Sequence, residues 1–427
     1  MAGPLDVYLS GTLAGTIRPG ERGPELTYTD EWVEDPDAYP LSLSLPLERR
    51  SHDARRTGRY LASLIPENHA TLKDWSRRWR GVDTADPVSM LAVVGQDVAG
   101  AAVFVPEGSA PDWSRDSVPL SEHEVGCLVA DLRDNDGAMP YDEEIPRVSL
   151  AGQQPKIGLY CDGEGWRLPR GDQPSTHILK PAPARLTDAD INETAMLAAA
   201  RNLGIEAARG GLEEIGGQRV FVVERFDRDR DEDGTVRRIH QEDLCQALGY
   251  RPAAKYQLSG GPALADVTEL IRARSADPSG DLDRLTRLLA FNVAIGNSDA
   301  HAKNHGLLIR PEGARLAPAY DLVSVAAYPA YDQRLAFAVG EQYHYAQVDR
   351  DDWRHYARRT GQDPDRVLSV VAAVWEQAPD AVHDALERFG ASATMRDRIL
   401  AAVDSVAGRL QVGRGRGAAP DPKGTRL

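Results

Sequence analysis

The residues with the clearest chemical potential form a polar segment directly after an apolar one. Positions 297–304 read Asn-Ser-Asp-Ala-His-Ala-Lys-Asn and follow an apolar helix predicted for 285–295. Phosphoryl transfer from a nucleotide needs a carboxylate that accepts the proton of the acceptor hydroxyl, and oxygen ligands that hold Mg²⁺ against the phosphates. Asp299, Asn304 and, on a predicted following strand, Asp321 supply these groups. Because Asp and Asn have the same five-residue separation in the catalytic loop of protein kinases, the pattern favours a kinase.

Residues upstream match the nucleotide-binding half of a kinase. Lys180 ends a strand predicted for 176–180, and Glu193 lies on a helix predicted for 188–203 that Gly204 closes. An ion pair between them could aim the ammonium at the α and β phosphates, whereas each residue alone fits a solvated surface position. The next predicted strand, 219–226, leads into Glu224, Arg225, Phe226 and Asp227, a plausible hinge whose backbone would face the adenine.

A third segment could contact phosphates through its backbone. Positions 147–156 read Arg-Val-Ser-Leu-Ala-Gly-Gln-Gln-Pro-Lys, and the candidate phosphate contacts are Ala151, Gly152, Gln153, Gln154 and Lys156. A proline before the lysine removes one backbone donor. With a single glycine, the segment taken alone is more typical of an ordinary loop.

Composition limits the class of protein. The chain has 427 residues, of which 42% are hydrophobic and 27% charged, which fits a globular protein of two or three packed units. Its 50 Lys and Arg against 65 Asp and Glu give a net charge of −15, which argues against a protein whose main task is coating nucleic acid or an anionic membrane. Three widely spaced cysteines indicate neither a disulfide framework nor a zinc ribbon. No apolar run could span a bilayer, so we expect a cytoplasmic location without membrane contact.

Hydrophobic periodicity predicts an α+β chain. A hairpin is predicted for 7–17 around Ser10-Gly11, a period-2 edge segment for 41–47, and a helix capped by Ser121 and Glu124. After position 237 the periodicity is almost entirely helical, including a helix predicted for 241–248. We expect a β-rich N-terminal subdomain over 1–108, a nucleotide-binding lobe over 109–226, a helical lobe over 227–412 and a disordered tail over 413–427.

Two motifs that suggest metal sites have simpler interpretations. Residues 229–234 begin like an EF-hand loop, but position 12 would be His240 instead of Glu, so we interpret the segment as a solvated hairpin turn. His301 and His305 have the i, i+4 spacing of a zinc pair but lack a helical context. His301 is better placed to contact phosphate or to orient Asp299, and His305 is expected to be structural.

With these residues and segments, the chain resembles a known family, the HipA serine/threonine kinase toxins of bacterial toxin–antitoxin systems. The resemblance extends over nearly the whole chain, through segments 7–17, 40–47, 148–156, 176–180, 223–228, 241–246, 255–262, 299–304 and 320–324. It implies a protein-kinase-like two-lobed fold, with a β-rich N-terminal subdomain and a mostly helical C-terminal lobe. ATP and Mg²⁺ are the implied cofactors.

Family roles then fall on the matching positions. The resemblance implies Asp299 as catalytic base and Asn304 and Asp321 as metal ligands. Together with Asp299, His301 and Asn304 are predicted to be catalytic residues. It places Lys180 on the phosphates, and Glu224 and Phe226 at the adenine through their backbone. Ser149 matches the autophosphorylation site of the family, where modification is expected to displace its loop and switch the enzyme off.

The expected partners follow from the same resemblance. They are a small helix-turn-helix DNA-binding antitoxin (HipB-like), through which DNA is contacted only indirectly, and a protein substrate for which the family precedent is an aminoacyl-tRNA synthetase. Two alternatives stay open: a small-molecule or lipid kinase, since Asp-x-His-x-x-Asn also resembles the phosphoinositide kinase loop, and a non-catalytic corepressor. Retention of Asp299, Asn304, Asp321 and Lys180 together speaks against the corepressor.

Overall fold

A computed structural model describes residues 3–79, 81–135, 137, 148–182 and 186–410. Arg147 and the predicted tail 413–427 lie outside these residues. The helices are α1 (Asp30–Glu34), α2 (Ala54–Ser63), α3 (His69–Arg78), α4 (Pro87–Val94), α5 (Glu122–Asp134), α6 (Ala189–Asn202), α7 (Leu244–Ala247), α8 (Leu264–Arg274), α9 (Pro278–Ala294), α10 (Arg350–Arg359), α11 (Pro364–Arg388) and α12 (Ala393–Ala407). Among the described residues, no helix is both long enough and apolar enough to cross a membrane.

Strands alternate with the helices along most of the chain. They are β1 (Leu5–Leu9), β2 (Thr12–Gly20), β3 (Gly23–Tyr28), β4 (Ser51–His52), β5 (Asp97–Val98), β6 (Val103–Pro106), β7 (Arg115–Leu120), β8 (Val148–Ser149), β9 (Ile157–Cys161), β10 (Trp166–Gly171), β11 (His177–Pro181), β12 (Gly210–Ile215), β13 (Gln218–Glu224), β14 (Arg228–Arg230), β15 (Val236–Arg238), β16 (His240–Asp243), β17 (Gly306–Arg310), β18 (Gly313–Leu316), β19 (Arg334–Val339) and β20 (Gln342–His344).

The chain divides into two compact units. The first comprises the described residues of Met1–Asp190, Arg209–Glu242 and Leu308–Gly313. The second comprises those of Ile191–Ala208, Asp243–Leu307 and Ala314–Leu427.

The first unit contains two large sheets, besides the two-stranded pairs β14-β15 and β5-β8. One has the strand order β4-β3-β2-β1-β6, and the predicted hairpin forms its β1–β2 pair, with Ser10 and Gly11 at positive φ in the turn. The other has the order β12-β13-β11-β9-β10-β7. Helix α5 covers this sheet with Val125, Val129 and Leu132, and the capping box predicted from Ser121 and Glu124 is formed at its start. Each of these two large sheets therefore buries one apolar face against helices or loops.

The second unit is mostly helical. Helix α9 begins at Pro278, behind the capping carboxylate of Asp277, and its long apolar face is buried. The indole of Trp375 on α11 donates a 2.9 Å hydrogen bond to the carbonyl of Ala290 on α9, and Trp353 on α10 packs edge-on against Trp375. These contacts fix the C-terminal end of α9, from which the candidate site begins.

Two local predictions are wrong. Residues 41–47 form turns with a single Ser42–Leu45 bridge instead of a strand. The Tyr28 hydroxyl accepts from the Leu41 amide and donates to the Leu45 carbonyl, so a side chain takes the hydrogen bonds that a strand neighbour would make. The helix predicted for 241–248 is only Leu244–Ala247, because Asp243 caps it and the residues before it are extended.

Candidate functional site

The segment 297–304, here called the catalytic loop, begins where α9 ends. Gly296 follows α9 with φ +61°, a backbone conformation that favours glycine and turns the chain away from the helix axis. The Asn297 amide nitrogen donates to Asn292 Oδ1 at 3.0 Å, and its Oδ1 accepts from the Asp299 N–H at 3.2 Å. The loop is thus shaped by its own side chains, which gives Asp299 a defined position.

The two residues that the spacing singled out lie together. Asn304 Nδ2 donates to the backbone carbonyl of Asp299 at 2.9 Å, and the Asn304 N–H donates to the His301 carbonyl at 2.8 Å in a short 3₁₀ turn. Because the amide nitrogen of Asn304 is used in this way, its Oδ1 oxygen is oriented as the group available to a cation. The Asp299 carboxylate accepts a hydrogen bond from the Tyr256 hydroxyl.

His301 is buried beside these residues, with 5% of its surface exposed. Burial lowers the pKa of His301 well below its usual range, and the nearby charges of Lys255 and Lys303 lower it further. The ring is therefore neutral at physiological pH. Its Nδ1 has no hydrogen-bond partner among the residues that the structure describes.

A further hydrogen bond attaches the segment that carries Asp321 to the catalytic loop. The Tyr320 hydroxyl donates to the Lys303 carbonyl at 2.8 Å, which ties the 319–321 segment to the catalytic loop. The prediction that Asp321 lies on a strand is wrong: Ala319 makes a single bridge to Ala207, and Asp321 itself has φ +50°. This left-handed conformation is uncommon outside glycine and is often found at functional positions.

Lys180 and Glu193 occupy buried positions in different units. Lys180 lies on β11, 5% exposed, with its ammonium 5.6 Å from the Phe221 ring centre. Glu193 lies on α6 and is also 5% exposed. Since the two residues belong to different units, their ion pair stays a prediction.

The predicted hinge, 224–227, follows β13. The Glu224 N–H donates to the Arg209 carbonyl at 2.7 Å, while Phe226 is half-buried. Asp227 is only 3% exposed. Its carboxylate is occupied by Arg225 at 2.8 Å, by Arg228 at 3.1 Å and by the Gly100 N–H at 2.7 Å. Only the backbone of Asp227 is therefore left for a nucleotide.

Asp227 belongs to a hinge ion cluster, formed by Asp97, Arg225, Asp227 and Arg228. Arg228 bonds Asp97 Oδ1 at 2.6 Å, and Arg225 donates to the Val98 carbonyl at 2.9 Å. Burial alone would raise the pKa of Asp227, but the charges of Arg225 and Arg228 outweigh it and hold that pKa well below its usual range. No sequence pattern connects Asp97 to the other three members, since it lies 131 positions from Arg228.

The segment with the candidate phosphate contacts, residues 151–156, is called the phosphate loop, and its backbone contacts its own lysine. Lys156 Nζ donates to the Ala151 carbonyl at 2.8 Å, and Gly152 has φ +111°. This backbone conformation favours glycine, and a Cβ at this position would also displace the ammonium, which would lie 2.6 Å from it. Asn68 Nδ2 donates to the Gln153 carbonyl at 2.8 Å and Gln154 Nε2 to the Pro181 carbonyl at 3.5 Å.

Ser149 precedes this loop and is fully buried. Its hydroxyl donates to the Leu64 carbonyl at 2.7 Å, and its strand β8 pairs in parallel with β5. The hydroxyl is thus held inside the first unit by both side-chain and main-chain contacts.

The donor chemistry of Asn304 and Asp321 fits Mg²⁺, one of the two implied cofactors. Asn304 and Asp321 offer an amide oxygen and a carboxylate, the hard oxygen ligands that Mg²⁺ prefers, with water and phosphate oxygens completing its coordination. The part of the chain that the structure describes holds no cluster of three or more His, Cys, Asp or Glu side chains able to bind a metal. The EF-hand-like residues form the turn of the β14–β15 hairpin.

Tyr256 was not predicted from the sequence as part of the site. It lies in the 255–262 segment covered by the resemblance, but it has no spacing rule that links it to Asp299, 43 positions away. Ser298 was also missed; its hydroxyl donates to the Asp332 carbonyl at 2.5 Å and holds the start of the loop.

Comparison with known proteins gives these residues a family context. A HipA N-terminal domain matches residues 5–105 and a HipA-like C-terminal domain matches residues 148–382. A putative kinase of Sinorhizobium fredii is 35% identical over 96% of this chain and 98% of its own length. The serine/threonine-protein kinase toxin HipA of Shewanella oneidensis is 28% identical, over 84% of this chain and 83% of the toxin.

A solved structure agrees with these matches. The structure of the Shewanella oneidensis toxin–antitoxin complex of HipA, HipB and operator DNA has a chain that matches with a TM-score of 0.78 at 26% identity, covering 94% of this chain and 99% of that one. The predicted α+β, kinase-like two-lobed fold is confirmed by this match, as is the prediction of an enzyme of the serine/threonine-protein kinase class. With both domain families matched and the likeness extending along nearly the whole chain, this protein belongs to the HipA family of kinases.

Proposed function

We propose that this chain is an ATP-dependent protein serine/threonine kinase that acts as the toxin of a toxin–antitoxin pair. The observation that carries the proposal is the catalytic loop, in which the Asn304 amide is hydrogen-bonded to the Asp299 backbone directly after α9. This arrangement holds a carboxylate and an amide oxygen in one rigid turn. Those are the groups that phosphoryl transfer requires on the acceptor and metal sides of the reaction.

Asp299 is the proposed catalytic base. The oxygen of the acceptor hydroxyl forms a bond to the γ-phosphorus of ATP while the bond from that phosphorus to the β–γ bridging oxygen breaks. ADP leaves with the bonding electron pair, and the hydroxyl proton passes to Asp299. Neutral His301 is proposed to contact a phosphate oxygen or to orient Asp299.

Asn304 and Asp321 are the proposed metal ligands. Mg²⁺, when bound, neutralises charge on the phosphate oxygens. The hydrogen bond from Asn304 Nδ2 to the Asp299 carbonyl orients the Asn304 amide before any ligand arrives, and the left-handed backbone at Asp321 is a conformation often found at functional positions. Rigid ligands of this kind lower the cost of ordering the site on binding.

The first unit is proposed to hold the nucleotide. Lys180 would neutralise the α and β phosphates, oriented by Glu193. The backbone of Glu224, Phe226 and Asp227 would meet the adenine. The segment 151–156, with Gly152 at positive φ, is proposed to contact phosphate through its backbone N–H groups.

Ser149 is the proposed autophosphorylation site. Its hydroxyl is buried and donates to the Leu64 carbonyl, so it cannot receive phosphate until β8 separates from β5. A phosphate carries about two negative charges at neutral pH and would not fit back into that site. Modification would therefore keep the phosphate loop displaced and the kinase inactive.

The proposed partner is a HipB-like helix-turn-helix antitoxin, through which DNA is reached indirectly. Support comes from the structural neighbour, a complex of HipA with HipB and operator DNA, and from the net charge of −15, which disfavours broad direct contact with DNA. The proposed substrate is a hydroxyl side chain of a protein, with an aminoacyl-tRNA synthetase as the candidate that the family resemblance suggests.

The test is incubation of the purified chain with labelled ATP and Mg²⁺, alone and with cell lysate, followed by mass spectrometry. We expect label on Ser149 and on a lysate protein, and none in Asp299→Asn or Asp321→Ala. Asp283→Asn, which changes a carboxylate on the surface of α9 paired with Arg366, serves as the matched control and should be labelled normally.

Each other outcome has a defined meaning. Equal labelling of Asp299→Asn would refute the assignment of the base. Label on small molecules but on no protein would favour a small-molecule kinase, and no label at all would favour a non-catalytic corepressor. Expression without antitoxin should arrest growth, and Asp321→Ala should relieve the arrest; persistent arrest would separate toxicity from metal-dependent chemistry.

A further inference from the structure

Tyr256 holds the proposed catalytic base from a different part of the chain. Its hydroxyl donates a hydrogen bond to Asp299 Oδ1, and only 5% of its surface is exposed. The Tyr256 carbonyl accepts from the N–H groups of Ser259 at 2.9 Å and Gly261 at 3.0 Å. The backbone that carries the phenol is therefore fixed at the start of a tight 3₁₀ turn, Gln257–Ser259.

The same segment is attached to the catalytic loop at two more points. The Lys255 carbonyl accepts from the Ala302 N–H at 3.0 Å. The Tyr256 ring meets the His301 ring edge to face, with centres 5.1 Å apart and an angle of 87° between the planes. One backbone hydrogen bond and one aromatic contact thus keep the phenol in register with the loop whose carboxylate it contacts.

A third contact ties the segment to the sheet behind it. Gln257 Oε1 accepts from the Ala338 N–H on β19 at 2.9 Å. Tyr256 cannot move away from Asp299 without loss of several of these contacts. The hydrogen bond to the carboxylate is therefore built into the fold of the second unit.

We propose that Tyr256 is a positioning residue for phosphoryl transfer, which fixes the rotation of the Asp299 carboxylate so that it meets the acceptor hydroxyl in line with the phosphate. This inference rests on the proposed function of Asp299. A phenol suits the task because it donates a strong hydrogen bond to a carboxylate without adding net charge beside the phosphates. Small errors in the placement of a reacting group are costly in rate, so a fixed carboxylate is worth a dedicated donor.

The test is Tyr256→Phe, which keeps the ring and its contact with His301 but removes the hydroxyl. We expect kcat to fall about 10- to 100-fold, while the KM for ATP and the thermal unfolding midpoint stay close to those of the parent protein. A carboxylate in the wrong rotation slows the chemical step without weakening nucleotide binding.

Tyr356→Phe is the matched control. Tyr356 is also a buried tyrosine of the second unit, but its hydroxyl contacts Gln362 at 3.0 Å and Thr286 at 3.3 Å instead of a residue of the catalytic loop. We expect this variant to lose some stability and to keep its kcat. Loss of kcat in both variants in proportion to their loss of stability would overturn the proposal, because Tyr256 would then be only a structural residue.

Asp299→Ala in the same assay separates the two levels of inference. If Asp299→Ala is inactive and Tyr256→Phe has normal kcat, the positioning role is wrong and the base assignment survives. If Asp299→Ala is as active as the parent protein, the proposed function of Asp299 itself is wrong. An inactive Asp299→Ala, with a selective kcat loss in Tyr256→Phe, supports both.

Discussion

The hinge ion cluster and the catalytic loop both contain buried polar side chains, but the two regions differ in how completely those side chains are paired by ion pairs and hydrogen bonds. In the cluster, Asp97 and Asp227 are matched against Arg225 and Arg228, with oxygen-to-nitrogen distances of 2.6 to 3.5 Å. Backbone groups of Val98 and Gly100 take part as well. Both positive and negative charges are compensated within the first unit, so this region can be buried without a ligand.

The catalytic loop is less completely satisfied. His301 Nδ1 is buried without a hydrogen-bond partner among the described residues, and Asp321 holds a left-handed backbone conformation. Neither feature stabilises a fold; both are typical of residues kept for function. The comparison teaches that the charges of the hinge ion cluster are paired within the fold, whereas the catalytic loop keeps one buried nitrogen unpaired where a ligand is proposed to bind. Incomplete pairing does not mark a site by itself, because Trp353 Nε1, outside the loop, is also buried without a hydrogen-bond partner among the described residues.

The largest effect on stability should come from Asp227→Ala. Removal of this carboxylate leaves Arg225 and Arg228 buried with one acidic partner fewer, and breaking a buried pair in this way typically costs about 3–5 kcal/mol. Chemical denaturation should show a loss of that size. It should also weaken nucleotide binding, because the same cluster holds the proposed hinge.

The control for this prediction is Asp283→Ala, which breaks the exposed ion pair with Arg366. Solvent screens such pairs, so we expect an unfolding midpoint close to that of the parent protein. Similar losses in both variants would contradict the view that burial makes the hinge ion cluster structural.

Local patterns predicted the parts of the site that are close in sequence. Three predicted features depend only on residues within a few turns of one another. The structure shows all three: the Asp299–Asn304 contact, the apolar helix α9 before it, and the Ser121–Glu124 cap of α5. Gly204, predicted to close α6, has φ +68°, as a helix end of this kind requires.

Long-range partners could not be predicted in this way. Arg228 and Asp97 are 131 positions apart, and no periodicity relates them. At 41–47 the alternation of leucine with polar residues resembled a strand, but the Tyr28 hydroxyl, which is distant in sequence, takes the backbone hydrogen bonds. Tertiary contacts determine the structure at these positions, and a local sequence pattern carries no information about such contacts.

A second effect of burial is pH-dependent. His240 in the first unit is 1% exposed; its Nδ1 accepts from the Ala101 N–H at 3.3 Å, and its Nε2 lies 2.9 Å from the Leu41 carbonyl, as a neutral ring with its proton on Nε2 requires. Burial lowers the pKa of His240 to about 4. An unfolded histidine has a pKa of about 6.5.

At a pH between these two pKa values, His240 binds a proton in the unfolded chain but not in the folded chain. The stabilisation from neutral His240 is therefore complete above pH of about 6.5 and is lost as the pH falls towards 4, a difference of about 3 kcal/mol. Denaturation from pH 7.5 to 4.5 should show a steeper loss of stability in the parent protein than in His240→Gln. Parallel curves for the two proteins would refute this role.

The smallest expected effect on the free energy of unfolding is the one that best distinguishes the catalytic loop from the hinge ion cluster. In His301→Leu an unsatisfied buried nitrogen is replaced by carbon of similar volume, so the free energy of unfolding should stay unchanged or rise by up to about 1 kcal/mol, while kinase activity falls. His305→Leu is the matched control. The Nε2 of buried His305 also has no hydrogen-bond partner among the described residues, but its Nδ1 is hydrogen-bonded to the His301 carbonyl at 3.0 Å, and the loss of that bond should destabilise the fold. A clear loss of stability in His301→Leu would mean that the catalytic loop is held together by the same complete pairing as the hinge ion cluster, and the contrast between the two regions would fail.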